Sequence, residues 1–486
     1  MDMKIFLNIP LVILLLTGCG STEEQLLKKA EKIHASILTV DTHCDTPLNF
    51  TDPGFDLGVR HDEGCVDFPR MKEGGLHAEF FAVFIGQGPR NDSSFNLVHQ
   101  KALDIFNSIH KNVEKNSDVA EIAYTADDAY RLKKAGKIAA FIGLENGYPI
   151  GNNISRVKQY YDLGARYITL AHTKNNDICD SSTDLKGPEN DGLSALGVQV
   201  VKEMNRLGMM VDISHISDKS FYDVLKITIA PVIASHSSCR ALCGSPRNLT
   251  DDMLLALKEN GGVIQICILG NYLKTPEPNP EMDAKLKELK DRYGDFNTLP
   301  EDSKKVMRTK YRSVQNKYEI PATVKDVVDH IDHAVQIIGI DYVGIGTDFD
   351  GGGGVEGCRS AAEMKNITIE LLRRGYSKTD ITKIWGGNIM RVMRKVEETA
   401  GNPAPGTFFS FLPSKISMST TSNRGGTYSD LFFADQDTIQ PSSVQEFCVS
   451  QQTQSGYHRG PEYMRNGRRL LPYQSYSPHG SFCCQL

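Results

Sequence analysis

The sequence predicts a closed barrel of eight parallel strands and eight helices, a (β/α)8 or TIM barrel. Short apolar runs alternate with amphipathic helical segments between residues 37 and 398, which is the pattern of repeated βαβ units. Eight such runs favour closure, and the 486-residue chain has room for a barrel of roughly 250–400 residues. No Gly-x-Gly-x-x-Gly follows the first strand, which weakens the alternative of a doubly wound open sheet. The strands are predicted at residues 37–42, 78–85, 138–144, 167–170, 209–213, 231–234, 262–269 and 342–347.

The helices between these strands follow from apolar periodicity and from glycine. Several predicted helices are followed by a glycine, such as Gly164, Gly208 or Gly261, that can adopt the left-handed conformation of a helix end. Residues 50–75 are rich in Gly and Asp and are predicted to form a loop. Helices are predicted at residues 94–115, 152–163, 194–207, 218–227, 251–259, 323–338, 360–374 and 378–398.

Residues 270–322 interrupt the alternation. The segment is long, charged and flanked by proline, with helical patterns at 281–293 and 301–316. We expect an insertion in the barrel that lies over its mouth.

The two ends of the chain differ from the barrel. Residues 1–19 combine Lys4, a short apolar core and the sequence Leu16-Thr17-Gly18-Cys19, a secretory signal that resembles a bacterial lipobox. Lipidation of Cys19 would make the protein an exported bacterial lipoprotein, anchored in a membrane with its barrel on the periplasmic or outer face. Residues 20–36 are polar and helical in pattern, and are predicted to be a tether and lead-in helix. Residues 399–486 are rich in Ser, Gln, Gly and Tyr and are predicted to be disordered, either as a genuine tail or as a frame-shifted end.

Composition excludes some classes of function. A formal net charge of −6 gives no basic surface for nucleic acid. The 11 cysteines show no paired Cys-x-x-Cys spacing, which argues against a structural zinc site.

Residues able to bind metal or transfer protons follow six of the eight predicted strands. Catalytic groups of such barrels lie at the carboxyl ends of the strands, so these side chains should share one rim. Each has an ordinary structural explanation, such as a helix cap or a hydrogen-bonded core histidine, but all of these would have to coincide at that rim. The seven residues are His43, Asp45, Glu145, His172, His215, His236 and Asp348.

Seven such residues are too many for one zinc ion, which needs about three protein ligands and an open position. Two ions about 3.5–4 Å apart, bridged by a carboxylate and a water, would use them well. Glu145 lies in sequence between the two histidine clusters and is the natural bridge. His43 and Asp45 would complete one metal, His215 and His236 the other, and His172 and Asp348 remain for chemistry.

Eight short motifs occur in order along the predicted barrel: THCD (42–45), FIGLENG (141–147), LAHT (170–173), VDISH (211–215), ASHS (234–237), SPRN (245–248), GTDFDG (346–351) and GGNIMRV (386–392). With these motifs the chain resembles the membrane dipeptidase (renal dipeptidase) family, a zinc-dependent branch of the amidohydrolase-type barrels. The resemblance covers roughly residues 35–398, and no position of its motifs is missing. It implies two zinc ions per subunit with the ligands assigned above, and it implies that His172, Arg247 and Asp348 contact a dipeptide substrate.

A mechanism follows as an expectation. A hydroxide activated by the two metals attacks the peptide carbonyl, His172 stabilises the oxyanion, and Asp348 moves the proton to the leaving amine. Arg247 would hold the free carboxylate of the substrate in a bidentate pair. The oligomeric state stays open between a monomer and a homodimer.

The main alternative is another binuclear amidohydrolase that acts on a cyclic amide or ester. Dihydroorotase-like and phosphotriesterase-like enzymes carry His-x-His on the first strand and often a carboxylated lysine as the bridge. Here the first strand ends in His43-Cys44-Asp45, and the fourth ends in His172 rather than lysine.

Overall fold

The computed structural model describes residues 18–50, 54–275, 278–294, 299, 301–318 and 321–400. The predicted signal segment up to residue 17 and the predicted tail beyond residue 400 lie outside the described residues. In the described part, no helix combines the length and the apolar character needed to cross a membrane.

In the described residues, nine strands form one sheet, and every pairing between them is parallel. The strands are β1 Val40–Cys44, β2 Ala78–Phe84, β3 Ala120–Ile122, β4 Ile138–Glu145, β5 Ala165–Thr169, β6 Met210–Asp212, β7 Ile233–Ser237, β8 Val263–Cys267 and β9 Val343–Gly346. Eight of them follow one another around the barrel in the order β1-β2-β4-β5-β6-β7-β8-β9, so the predicted (β/α)8 fold is confirmed.

Helices separate the strands, as predicted. They are α1 Gly18–Ser36, α2 Phe68–Gly74, α3 Asp92–Lys115, α4 Ala126–Lys134, α5 Ser155–Asp162, α6 Ala195–Leu207, α7 Asp218–Ile227, α8 Asp251–Asn260, α9 Gly270–Leu273, α10 Pro280–Tyr293, α11 Glu301–Tyr318, α12 Val324–Ile338, α13 Lys365–Arg373, α14 Lys378–Thr382 and α15 Asn388–Thr399. In the 270–322 segment, α10 and α11 pack together, and the Tyr318 hydroxyl donates to Glu281 over 2.7 Å. The position of this segment over the mouth stays a prediction.

Some local structure differs from the sequence prediction. Residues 68–74 are helical rather than looped, because Asp67 caps the helix by accepting from the Arg70 N–H and Pro69 stands in the first turn, where its missing N–H costs nothing. The short strand β3 is an addition. It pairs with residues 138–140 of β4, while β5 pairs with the later part of the same strand.

The amino end of the barrel, called the floor here, is closed by helix α15. Its side chains Met390, Met393 and Val396 are buried in one cluster with strand residues such as Val40 and Phe80. The polar side chains of α15 bind the backbone just before the last two strands: Asn388 donates to the carbonyl of Ile340 over 2.7 Å, and Arg391 to that of Gly261 over 2.8 Å. The floor is therefore an apolar plug held by side chain-to-carbonyl hydrogen bonds.

The barrel closes between β9 and β1 at its carboxyl end. In the described residues these strands share no regular ladder. Instead, the Asp348 N–H donates to the carbonyl of His43 over 3.0 Å, and the Asp45 N–H to that of Phe349 over 2.7 Å. The carboxylate of Asp41 adds to the seam by accepting from the N–H and the hydroxyl of Thr347.

A second thin seam joins β6 and β7, which share a single register pair, Asp212 with Ile233. The Asp212 carboxylate accepts from the N–H groups of Ser214 and Ser235 over 3.0 and 2.8 Å, and from the hydroxyls of Ser235 and Thr169. A buried aspartate thus supplies the hydrogen bonds that the ladder lacks.

Candidate metal centre

The structure brings all seven predicted residues to the carboxyl-end rim. His43 and His236 lie within β1 and β7, and Glu145 is the last residue of β4. The others follow their strands by one to three residues. All are buried except His172, whose side chain keeps 21% of its surface exposed.

Glu145 lies at the centre of this group. Its Oε2 is 3.6 Å from His43 Nε2, and its Oε1 is 3.1 Å from His215 Nε2 and 3.5 Å from His236 Nε2. His172 Nε2 lies 3.7 Å from the same Oε1. Donor atoms around a tetrahedral zinc ion are about 3.3 Å apart, because each bond is about 2.0–2.1 Å long. The spacing in the centre is therefore suited to a metal ion.

Three sets of side chains have donor atoms close enough to hold an ion. They are His43 with Glu145 and His236, Glu145 with His172 and His215, and His43 with Asp45 and Asp348. The sets share His43 and Glu145. The first set also combines His43 with His236, which were predicted to bind different metal ions. The division of ligands between two metals stays a prediction.

Unpartnered atoms show that these residues fit a cation. Among the described residues, His43 Nε2 and Asp45 Oδ1 are buried in the centre with no hydrogen-bond partner. Leaving such atoms unpaired costs about 1–3 kcal/mol each, and a bound ion would remove that cost. Imidazole nitrogens with carboxylate oxygens are the ligand types of zinc and similar divalent metals.

Electrostatics favour the same conclusion. Desolvation by the surrounding protein, and then the nearby charges of Arg247 or His43, lower the pKa of His215 and His236 well below the ordinary value, and that of His172 to about 3. These imidazoles are therefore neutral at pH 7 and keep a lone pair for a metal. Burial also raises the pKa of Glu145 and Asp348, and the charge of Asp45 raises both further.

His43 behaves differently. Burial lowers its pKa, but the contacts with Tyr167, Glu145 and Asp45 outweigh burial and raise it well above the ordinary value. The carboxylates around this ring thus attract positive charge to the His43 side of the centre.

The backbone at the rim is strained. Asn146, His215, Asp348 and Asp350 all have positive φ, at 73°, 69°, 60° and 65°. Side chains with a Cβ rarely adopt this conformation, and it clusters at functional sites. Gly351 allows the backbone to pass close to the carboxylates of Asp45 and Asp348. A Cβ there would lie 2.1 Å from Asp45 Oδ2 and 2.4 Å from Asp348 Oδ1.

Arg247 extends the site beyond the predicted ligands. Its guanidinium is buried, donates to the His236 carbonyl over 2.9 Å and to Ser237 Oγ over 3.2 Å, and stacks on Tyr272 with 5.1 Å between the guanidinium carbon and the ring centre. Its Nε has no hydrogen-bond partner among the described residues. A fixed positive charge therefore stands next to the histidine cluster.

A sequence profile of the membrane dipeptidase family, peptidase family M19, matches residues 27–404. The chain belongs to the membrane dipeptidase family. It is accordingly a metal-dependent dipeptidase, which favours a dipeptide over the alternative of a cyclic amide or ester.

Known relatives agree with this membership. The dipeptidase is 35% identical to a dipeptidase of Claviceps purpurea over 345 residues, which is 70% of this chain and 71% of the relative. It is 33% identical to a dipeptidase of Clonostachys rogersoniana, over 77% of this chain and 88% of the relative.

Solved structures agree as well. The probable dipeptidase of Pseudomonas aeruginosa has 31% identity and a TM-score of 0.70, over 78% of this chain and all of that one. A metallopeptidase of Rhodobacter sphaeroides, solved with a phosphinate mimic of the dipeptide L-Ala-D-Ala, shares the fold with a TM-score of 0.60 at 22% identity, over 74% of this chain and 99% of that one.

Several supporting residues of the dipeptidase were not singled out from the sequence. The Ser235 hydroxyl donates to Asp212 and so accepts from His236 Nδ1 at 2.8 Å, which leaves Nε2 of that ring for the centre. Tyr167 contacts His43 in a similar way, with 2.8 Å between its hydroxyl and Nδ1. The available signal was weak: Asp212 lies in the VDISH motif and Tyr167 begins a predicted strand, but both resemble ordinary strand residues.

Proposed function

We propose that this dipeptidase cleaves the peptide bond of dipeptides with two zinc ions. One ion would be held by His43, Asp45 and Glu145, and the other by Glu145, His215 and His236. The observation that carries this proposal is the orientation of Glu145, whose Oε2 faces His43 while its Oε1 faces His215 and His236. A carboxylate that turns one oxygen to each ligand group is the expected bridge of a two-metal centre.

The cations would supply two effects when bound: they lower the pKa of a water molecule and polarise the substrate carbonyl. The remaining steps belong to the chain. Water adds to the carbonyl carbon as its proton moves to Asp348, and the C–N bond then breaks as Asp348 returns that proton to the leaving amine. The raised pKa of the buried Asp348 carboxyl supports the second step, in which the group gives its proton to the amine.

His172 is proposed to donate to the developing oxyanion. Desolvation by the surrounding protein and the charge of Arg247 lower its pKa to about 3, so the ring is neutral at pH 7 and carries one N–H. Its position beside Glu145, with Phe84 packed edge-on at 4.8 Å between ring centres, limits its movement. A preorganised donor of this kind is worth roughly 3 kcal/mol in the transition state.

Arg247 is proposed to bind the free carboxylate of the substrate. Its guanidinium is fixed by the His236 carbonyl and by Tyr272, so little conformational freedom is lost on binding. Recognition of a carboxylate close to the scissile bond would restrict substrates to very short peptides.

The decisive experiment follows hydrolysis of a dipeptide by the full chain after chelation and after zinc add-back. We expect activity to be lost on chelation and to return as two zinc ions bind per chain. The same dipeptide with an amidated carboxyl end is the matched control and should be cleaved poorly, with a raised KM. Full activity in the metal-free protein, or equal cleavage of the amide, would contradict the proposal.

We also propose that Cys19 carries lipid and anchors the protein to a membrane. Support comes from the apolar segment and the Leu-x-Gly-Cys sequence at residues 16–19. Labelling with radioactive palmitate should mark the full chain and not Cys19→Ala. An unlabelled wild-type chain would contradict the anchor without affecting the catalytic proposal.

A further inference from the structure

Tyr167 is a fully buried tyrosine below the metal centre, and the sequence around it makes room for its ring. It lies in β5, with its ring stacked against Phe80 at 5.7 Å between centres. The neighbouring strand β4 carries Gly143 at this point, where a Cβ would lie 2.0 Å from the Cζ atom of Tyr167. Tyr167 can therefore occupy this position only because Gly143 has no side chain.

The hydroxyl of Tyr167 has two partners, and together they define where its proton lies. One is the carbonyl of Thr42 at 3.2 Å, which can only accept. The other is Nδ1 of His43 at 2.8 Å. A phenol has one proton. Because the Thr42 carbonyl can only accept, we assign that proton to Thr42, and Nδ1 of His43 is then the donor in the second bond.

The proton on Nδ1 determines the role of the other nitrogen of the His43 ring. With Nδ1 protonated, Nε2 of His43 is the atom left to bind a metal. That atom is buried, has no hydrogen-bond partner among the described residues, and lies 3.6 Å from Glu145 and 3.7 Å from Asp45. Metal-binding histidines commonly have their second nitrogen fixed in this manner, and loss of the outer partner typically costs 10–100-fold in metal affinity.

We propose that Tyr167 is a positioning residue that fixes the ring orientation and the protonated nitrogen of His43, and thereby sets the affinity of one metal site. The inference rests on the proposed role of His43 as a ligand. It concerns metal binding rather than hydrolysis, so its failure can be told apart from that of the proposed function.

The chain offers a matched control in Tyr160 of helix α5. This tyrosine is also fully buried, donates to the carbonyl of Pro149 over 3.1 Å, and contacts Nδ1 of His99 at 2.7 Å. Its ring also stacks on a phenylalanine, Phe106, at 5.8 Å between centres. Tyr160 therefore has the same hydrogen bonds away from the metal centre.

The test compares Tyr167→Phe with Tyr160→Phe in the full chain, by zinc titration against a chromophoric chelator. We expect Tyr167→Phe to bind one of its two zinc ions 10–100-fold more weakly, and Tyr160→Phe to bind both as the wild type does. Thermal unfolding should show a similar loss of stability in both variants, since each loses the same kind of buried hydrogen bonds. Wild-type zinc affinity in Tyr167→Phe would overturn the inference, as would equal weakening in Tyr160→Phe.

A second measurement needs no variant and covers the case in which Tyr167→Phe does not fold. Nitrogen-15 NMR of the zinc-loaded wild type, labelled at histidine, should show His43 bound through Nε2 with a slowly exchanging proton on Nδ1. Binding through Nδ1 would overturn the inference. A wild type that binds zinc but does not hydrolyse dipeptides would instead contradict the proposed function.

Discussion

The rim and the floor of this barrel are built from the same strands, but they follow different physical rules. At the floor, apolar side chains of α15 fill the space between the strand ends, and Asn388 and Arg391 bind backbone carbonyls. At the rim, buried imidazoles and carboxylates crowd around Glu145, several with unpartnered atoms. Backbone with positive φ is also found there, at His215 and Asp348.

The difference indicates a division of labour. The floor gains free energy chiefly from apolar burial, whereas the rim gathers unpartnered imidazole and carboxylate atoms and strained backbone that a cation and a substrate can use. Changes at the rim should therefore affect activity more than folding, and changes at the floor should do the opposite.

The largest effect is expected for Glu145→Gln at the rim. Loss of the proposed bridge should lower kcat/KM by about a thousandfold or more, because a metal centre supplies several kcal/mol of transition-state stabilisation. In the metal-free protein the same change should raise the melting temperature at pH 7. Burial raises the pKa of Glu145, so its ionised form weakens the fold at that pH, and glutamine removes the charge. A lower melting temperature in metal-free Glu145→Gln would contradict the view that the rim serves activity rather than folding.

The converse prediction concerns Met390→Ala at the floor. This side chain is fully buried, and its truncation should lower the free energy of unfolding by about 2–5 kcal/mol. The kcat of the folded protein should not change. Leu97→Ala is the control, since Leu97 is 73% exposed and its loss should cost less than about 0.5 kcal/mol. Urea unfolding with parallel kinetics measures both quantities, and a large fall in kcat for Met390→Ala would show that the two ends are coupled.

Asp212→Asn is expected to affect both folding and zinc binding, because Asp212 contributes to both the β6–β7 seam and the rim. An amide has one acceptor oxygen in place of two, so part of the set of N–H and hydroxyl donors loses its partner. We expect about 2–3 kcal/mol less stability and weaker zinc binding, since Ser235 would no longer be held as an acceptor for His236. Unfolding and zinc titration of one preparation test both parts. A loss of stability with wild-type zinc affinity would confine Asp212 to the seam.

The smallest expected effect is a loss of stability at low pH, caused by a histidine that lies neither at the rim nor at the floor. His34 of α1 is buried, bonds to the Gly74 carbonyl at 2.9 Å and to Thr368 at 2.7 Å, and has its pKa lowered to about 4, mainly by burial. Because the unfolded chain binds this proton near pH 6.5, stability should fall as the pH drops below 6.5 and continue to fall until about pH 4.

Between pH 7 and pH 5 this histidine should account for about 2 kcal/mol. The measurement is the difference in urea stability between the metal-free wild type and His34→Gln at each pH. Equal pH dependence of the two proteins would remove His34 as the source.

The sequence was informative about the rim for a physical reason. Ligand histidines and carboxylates are unusual directly after apolar strands, and parallel strands end at one edge, so His43, Glu145 and His215 could be brought together before the fold was known. Helix ends were also predictable where glycine follows, as at Gly208 and Gly261, both of which have a positive φ.

Other features depend on tertiary contacts that leave little local signal. Strand β3 has three residues and exists because β4 offers an edge below β5. Tyr167 looks like any aromatic core residue until its hydroxyl is seen beside His43. The sharing of ligands also escapes sequence reasoning, since His236 lies near both Glu145 and the ring of His43, with 3.9 Å between the two imidazole centres.

The hydrogen bond from Asp348 to the carbonyl of His43 links the two extremes of the barrel in sequence. A chain emerging from the ribosome cannot form this contact until β9 has been synthesised. Nascent chains that end before β9 therefore contain the histidines but lack the closed barrel that brings them together. Contacts across such a sequence separation form slowly. Metal uptake during biosynthesis should therefore be a late event, and stable occupancy would mark molecules whose first and last strands have already met.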